Sequence, residues 1–298
     1  MPCYHPILAY RSKDVNPGTG RRSLVFNPRL AYSDLTVTIP CGQCIGCRLS
    51  HSRDWAVRCV HEASLYPDNC FITLTFNDGH LNPTGTLVKR DFQLFMKRLR
   101  KKFPVDPPGI RYYHCGEYGD LLKRPHHHAC LFNFDFPDKV LHSRKGGINL
   151  YRSAALEKLW TFGYSTIGQV TFDSAAYVAR YILKKQTGKS SSSYYKALLP
   201  PYTTMSRKPG IAKQWFDQFK TDVYPSDLVV MRNNLKCRPP RYYDTLYDVI
   251  NPAAMLVLKN KRIRAAKNNL DGSAERLVVK EQCAKARLKQ LKRGLHDS

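Results

Sequence analysis

CFITLTF at residues 70–76, IRYYHCG at 110–116 and HHHACLFNF at 126–134 decide the fold. Each run is dense in β-branched and aromatic residues and is bounded by turn formers, as a buried strand is. Between the first two, Val88 to Phe103 carries Phe92, Phe95, Met96 and Leu99 at helical spacing, with Lys and Arg on the other side. Pro104, Pro107, Pro108 and Gly109 stop that helix. The turn at Asp120 to Pro125 is short, so the second and third strands should pair antiparallel. Ser153–Phe162 reads as a helix, Tyr164–Val170 as a strand and Ser174–Lys185 as a helix. The order from Cys70 is therefore βαββαβ followed by a helix. This predicts an α+β fold with a ferredoxin-like, split-βαβ antiparallel sheet and the histidine tract on a central strand.

The flanks read differently. Residues 1–40 lack helical period and suggest an irregular or β-rich arm. Gly46 to Leu65 has apolar residues at three- and four-residue steps, as on one helix face. Four serines at 190–193, Pro200-Pro201 and Pro209-Gly210 suggest a linker. Ile211–Val223 reads as a short amphipathic helix. Met255 to Arg293 reads as basic and mainly helical, broken near Asn268-Asn269 and Asp271-Gly272-Ser273. The expected organisation is 1–66 (arm, cysteine cluster and helix), 67–186 (core), 187–210 (linker) and 211–298 (basic helical region).

Charge narrows the partner. With 48 Lys and Arg against 23 Asp and Glu, the formal charge is +25 over 298 residues. Such an excess favours a polyanion, because each phosphate contact releases counterions. No apolar run approaches 18 residues and no signal-peptide pattern opens the chain, so no membrane partner is expected. The ten Cys are then expected as thiols or metal ligands. No Walker-type phosphate loop is present, so ATP-driven unwinding would have to come from another protein.

Two constellations carry chemistry. His126 and His128 alternate with His127 on one strand, so 126 and 128 share a face and 127 takes the other. If the hairpin forms, Glu117 can lie beside them, giving two imidazoles and a carboxylate with positions open to a phosphate. His114 competes as a ligand, and the tract could equally be a solvated turn. On the helix at Ser174–Lys185, Tyr177 and Tyr181 differ by about 40° and Lys184 lies about 20° from Tyr177, so the three share one face. A phenol beside a metal-bound phosphodiester is a nucleophile, and a lysine can neutralise the transferring phosphate. Taken alone, tyrosines four residues apart are more often an aromatic packing pair.

FITLTF (71–76), PHHHACLF (125–132) and YVARYILK (177–184) resemble, in order and spacing, the three motifs of HUH-type replication initiators. The Microviridae branch of small single-stranded DNA phages, gokushoviruses in particular, is the nearest likeness. CGQCIGCRLSHSRDWAVRC (41–59) and CGEYGD (115–120) also look like that branch. The resemblance covers residues 40–186. It implies Glu117, His126 and His128 as ligands for Mg²⁺ or Mn²⁺, Tyr177 and Tyr181 as nucleophiles, and Lys184 as their helper. It also implies origin nicking on single-stranded and replicative-form phage DNA through a 5′-phosphotyrosine, with host helicase and polymerase, in the host bacterial cytoplasm. The middle position of the histidine motif, usually a bulky hydrophobe, is here His127. A two-tyrosine transposase or relaxase would use the same chemistry.

Cys41, Cys44 and Cys47 lie at two-residue gaps in a glycine-containing loop that could curl their thiolates onto one ion. Structural zinc is the expectation, with Cys3, His5 or His51 as fourth ligand. Arg180, Lys185, Lys259, Lys261, Arg262 and Arg264 are expected to contact phosphates. Charge and cysteines alone would also suit a non-enzymatic, zinc-stabilised DNA-binding or packaging protein. That reading leaves the shared faces of His126 with His128 and of Tyr177 with Tyr181 without a purpose.

Overall fold

A computed structural model describes residues 3–290 except 19, 21, 120–121, 146, 185–190, 197 and 232–233. The strands and helices follow in chain order: β1 (Ile7–Val15), β2 (Arg22–Val25), β3 (Ala31–Ile39), α1 (Ile45–Ala63), β4 (Asn69–Thr75), α2 (Lys89–Lys102), β5 (Arg111–Tyr118), β6 (Pro125–Phe132), β7 (Val140–Lys145), β8 (Ile148–Arg152), α3 (Ala154–Leu159), β9 (Ser165–Gly168), α4 (Phe172–Lys184), α5 (Ser191–Tyr195), β10 (Tyr202–Met205), α6 (Lys213–Val223), β11 (Val229–Val230), β12 (Lys236–Cys237), α7 (Arg241–Ile250), α8 (Pro252–Lys267) and α9 (Ala274–Gln290). The class is α+β. The chain divides into two compact units, a smaller one of Met1–Ser50 with Ala266–Lys292 and a larger one holding His51–Ala265.

The larger unit is built on a seven-stranded sheet in the order β10-β5-β6-β4-β9-β8-β7, every pair antiparallel. Period-two alternation sorts its side chains into two cores. On one face Cys70, Ile72, Leu74, Ala129 and Leu131 meet Phe92, Phe95, Met96 and Leu99 of α2 and Leu156, Leu159 and Trp160 from the α3 end. On the other, Phe71, Tyr113, Cys115, Cys130 and Phe132 lie under Ala175, Ala176, Val178 and Ala179 of α4 and Ala56, Val57 and Cys59 of α1. Each fully buried Phe or Leu contributes about 2 kcal/mol of transfer free energy, so both faces of the sheet are pinned.

One close approach fixes the edge near the histidine strand. Trp160 Nε1 donates to Thr75 O at 2.8 Å, and Thr75 N and Asn77 N donate to Tyr164 O and Phe162 O at 2.9 Å each. Gly163 passes so near that a Cβ there would stand 2.4 Å from Thr75 O and 2.6 Å from Asn77 N. Only glycine fits.

Several elements depart from the expected string. β5 runs on through Glu117 and Tyr118, which pair in register with His126 and Pro125; polar side chains do not end a strand whose backbone is paired. The β7–β8 hairpin, which extends the sheet beyond β9, was not expected, because Val140, Leu141 and Ile148 are exposed and give no buried apolar signal. β10 arises inside the expected 187–210 linker, where Tyr202–Met205 pairs with Tyr113–Gly116 at the sheet edge. The break expected near 268–273 falls between α8 and α9, where the Asn269 side chain accepts from Asp271 N. Among the described residues no helix is long and apolar enough to cross a membrane.

Candidate functional site

The register of β4, β5 and β6 builds the site. His126 stands opposite Glu117 and Thr75, and His128 opposite Cys115 and Thr73. These residues share one sheet face, the α4 face. His127, opposite Gly116 and Leu74, takes the α2 face. The two-residue spacing therefore does what parity dictates, and Glu117 needs no distortion of the strand end to join the histidines.

His128 is buried. Its Nδ1 is 3.0 Å from Thr73 Oγ1 and its Nε2 is 3.2 Å from Glu117 Oε1. The His126 ring lies parallel to it, centroids 6.2 Å apart, with Nδ1 2.7 Å from Arg124 O. Both imidazoles thus have Nδ1 held by an oxygen. Contact with a carbonyl makes His126 Nδ1 the protonated nitrogen and puts its ligand lone pair on Nε2, the usual arrangement of metal-binding histidines. Two imidazoles and one carboxylate, residue types that bind divalent ions, thus share this face.

Tyr177 completes the group. Its ring packs edge-on against His128 at 5.3 Å between centroids and against Phe71 at 6.4 Å. The backbone of α4 carries positions 180, 181 and 184 onward from it. The side chains of Arg180, Tyr181 and Lys184 lie outside the described residues, as does the whole of Lys185.

The opposite face is closed. His127 and His114 are fully buried, and His114 Nε2 lies 3.1 Å from His127 Nδ1 and its Nδ1 2.9 Å from Thr204 Oγ1. Phe92 stacks on His114 at 3.5 Å. Burial first, then the neighbouring imidazoles, pushes the His127 pKa down to about 3, and the same causes hold His114 well below its ordinary value. His127 is thus a neutral, hydrogen-bonded imidazole filling the place of a hydrophobe. His114 sits on this face, away from Glu117, and does not compete as a ligand there.

The cysteines converge in the smaller unit. One sulfur each from Cys3, Cys41, Cys44 and Cys47 lies within 4.8 Å of all the others. His5 instead pairs with Glu281 at 2.8 Å, and His51 Nε2 accepts from Trp55 Nε1 at 3.3 Å. Cys3, distant in sequence, is therefore the fourth member.

Of the expected phosphate contacts, Arg262 is taken up elsewhere. Its guanidinium bonds both Asp227 oxygens and lies 2.6 and 2.9 Å from the Asp244 oxygens, and those hydrogen bonds raise its pKa. It ties α8 to α7 and to the loop before β11. Lys259 Nζ reaches Asp248 Oδ1 at 3.1 Å, and Lys261 and Arg264 are exposed. Reading missed Asp227 and Asp244, whose one signal was carboxylate charge in an otherwise basic region.

A family model for replication-associated protein ORF2/G2P matches residues 69–186, the stretch from β4 through α4. Replication-associated protein VP4 of Bdellovibrio phage phiMH2K is 33% identical over 325 aligned positions, covering 99% of each chain. The chain belongs to the replication-associated proteins of Microviridae-type phages. Replication-associated protein ORF2 of Spiroplasma virus 4 is 37% identical, covering 70% of this chain and 67% of its own. Replication-associated protein ORF4 of Chlamydia phage 1 is 30% identical, covering 70% and 53%. No solved structure matches. The family places this protein in phage DNA replication.

Proposed function

We propose that this replication-associated protein is a DNA-nicking and rejoining enzyme that starts rolling-circle replication at a phage origin. The single observation that carries the reading is the Tyr177 ring packed 5.3 Å from His128, itself beside Glu117. The strand order β5-β6-β4-β9, with β6 inside the sheet, supports the ferredoxin-like core and the HUH placement of the histidines.

Glu117, His126 and His128 would hold a divalent ion, Mg²⁺ or Mn²⁺ by the hardness of the substrate. Bound there, it would polarise the scissile phosphodiester. The chain's own residues do the rest. Thr73 and Arg124 O orient the two imidazoles, and burial of His128 keeps water from its inner edge. The Tyr177 oxygen attacks phosphorus; the O–P bond to tyrosine forms, the P–O3′ bond breaks, and the phenolic proton passes to the 3′ oxygen. A 5′-phosphotyrosine and a free 3′-hydroxyl remain, so bond energy is kept without ATP. Tyr181, one turn on by helical spacing, would take the second transfer, and Lys184 would neutralise charge on the phosphate. Host polymerase would extend the hydroxyl and host helicase open the duplex. Charge-only binding of nucleic acid would give the tyrosine and histidine faces no work.

The test separates cutting from binding. With a single-stranded origin oligonucleotide, wild type should nick in Mg²⁺ or Mn²⁺ and stop in EDTA. His128→Ala should lose at least about 100-fold in nicking rate while oligonucleotide affinity stays within a few fold. Equal nicking by His128→Ala, or nicking that survives EDTA, would refute the reading.

A further inference from the structure

We propose that Cys3, Cys41, Cys44 and Cys47 hold one structural Zn²⁺ that serves as the core of the smaller unit. The inference does not depend on the nickase reading. Four sulfurs lie within 4.8 Å of one another, with Cys3 and Cys44 sulfurs 3.9 Å apart. Tetrahedral zinc with bonds of about 2.3 Å needs thiolates about 3.8 Å apart. All four are free thiols, so no disulfide competes in this arrangement. A cubane iron–sulfur cluster would hold its cysteines further apart than this.

The backbone around them is arranged for sulfur carrying negative charge. Cys41 N donates to Cys3 Sγ at 3.2 Å, Cys44 N to Cys41 Sγ at 3.3 Å and Tyr4 N to Cys44 Sγ at 3.3 Å. Gly42 has φ +74°, open to glycine, which turns the Cys41–Cys44 loop back on itself. Cys3, Cys41 and Cys44 thus each receive an N–H, and Cys47 lies in the first turn of α1, where the helix dipole favours anions. Four clustered thiolates without a cation would repel one another, and Zn²⁺ removes that cost as the thiol protons leave.

The unit needs such a staple. The apolar cluster around the quartet buries Tyr4, Cys44 and Ala284, with Leu277 and Ile45 packed on it. The β2-β1-β3 sheet leaves Leu8, Leu24 and Leu35 exposed. A core that small is below what a domain of this kind needs unaided. The ion would join the segment before β1, the start of α1 and, through Tyr4–Ala284 packing and the His5–Glu281 pair, helix α9.

The test uses the full chain. Protein purified without added metal and dialysed against EDTA should retain one zinc per chain by elemental analysis. Titration with a mercurial thiol reagent should release that zinc as four thiols react. Cobalt substitution should give the intense thiolate-to-metal absorption of a tetrahedral sulfur site. Cys41→Ser with Cys44→Ser should drop zinc below about 0.2 per chain, whereas His126→Ala with His128→Ala should keep it. If the double cysteine variant misfolds, wild-type cobalt spectra and mercurial release still decide. Zinc absent after reconstitution, zinc kept by the cysteine variant, or zinc lost with the histidine variant would each overturn the proposal.

Discussion

The two faces of β6 carry the same residue type to opposite ends. His127 looks into the α2 core, fully buried, neutral and bonded to His114. His126 and His128, one residue to either side, look toward α4, Glu117 and Tyr177. The imidazole alone decides nothing; strand parity and what covers each face decide whether it is locked into a core or stands beside a carboxylate and a phenol. One face should therefore answer to stability measurements and the other to activity.

The largest stability effect should come from the core face. Phe92→Ala removes the ring stacked on His114 at 3.5 Å and should cost about 3–5 kcal/mol in denaturant unfolding. Nicking by the folded fraction at low temperature should stay within a few fold of wild type. A nicking loss as large as that of His128→Ala, at full folding, would break the separation of faces.

Acid should act through the same face. His114 and His127 hold pKa values below the ordinary 6.5, about 3 for His127, because burial disfavours their charge. Their share of stability is complete above about pH 6.5. It falls as pH drops toward 3, since the unfolded chain takes up protons that the folded chain refuses. Each contributes a slope of about 1.4 kcal/mol per pH unit. His61, also brought to about 3 by burial, adds a third. The smallest effect is expected of His127→Leu. At pH 8 it should cost under about 1.5 kcal/mol, leave nicking nearly unchanged, and make the acid slope shallower by about one proton. A slope unchanged from wild type would contradict the neutral buried assignment.

Much of this was legible in residue order. Alternation along HHHACLF placed His126 with His128, and the four-residue step from Tyr177 to Tyr181 placed both positions along one helix. The central strands were legible because CFITLTF and IRYYHCG are buried and dense in β-branched and aromatic residues. What escaped depended on distant partners. Cys3 joins the cysteine loop from 38 positions before Cys41, and nothing local chose it over His5. Arg262 read as a free cation because Asp227 and Asp244 come to it from 35 and 18 residues away. The β7–β8 hairpin has too little buried apolar surface to announce itself, and β10 owes its strand to the β5 edge that it meets.

The most direct test is to find where DNA becomes attached. Wild-type protein is incubated with the origin oligonucleotide and Mg²⁺, the adduct is digested with nuclease and trypsin, and the modified peptides are sequenced by mass spectrometry. Cleavage after Arg180 places Tyr177 and Tyr181 on different peptides. The nucleotide should appear on Tyr177, with Tyr181 as the second acceptor, and should vanish when both are Phe. A nucleotide on any other residue, or an adduct that persists in the double Phe variant, would contradict the account.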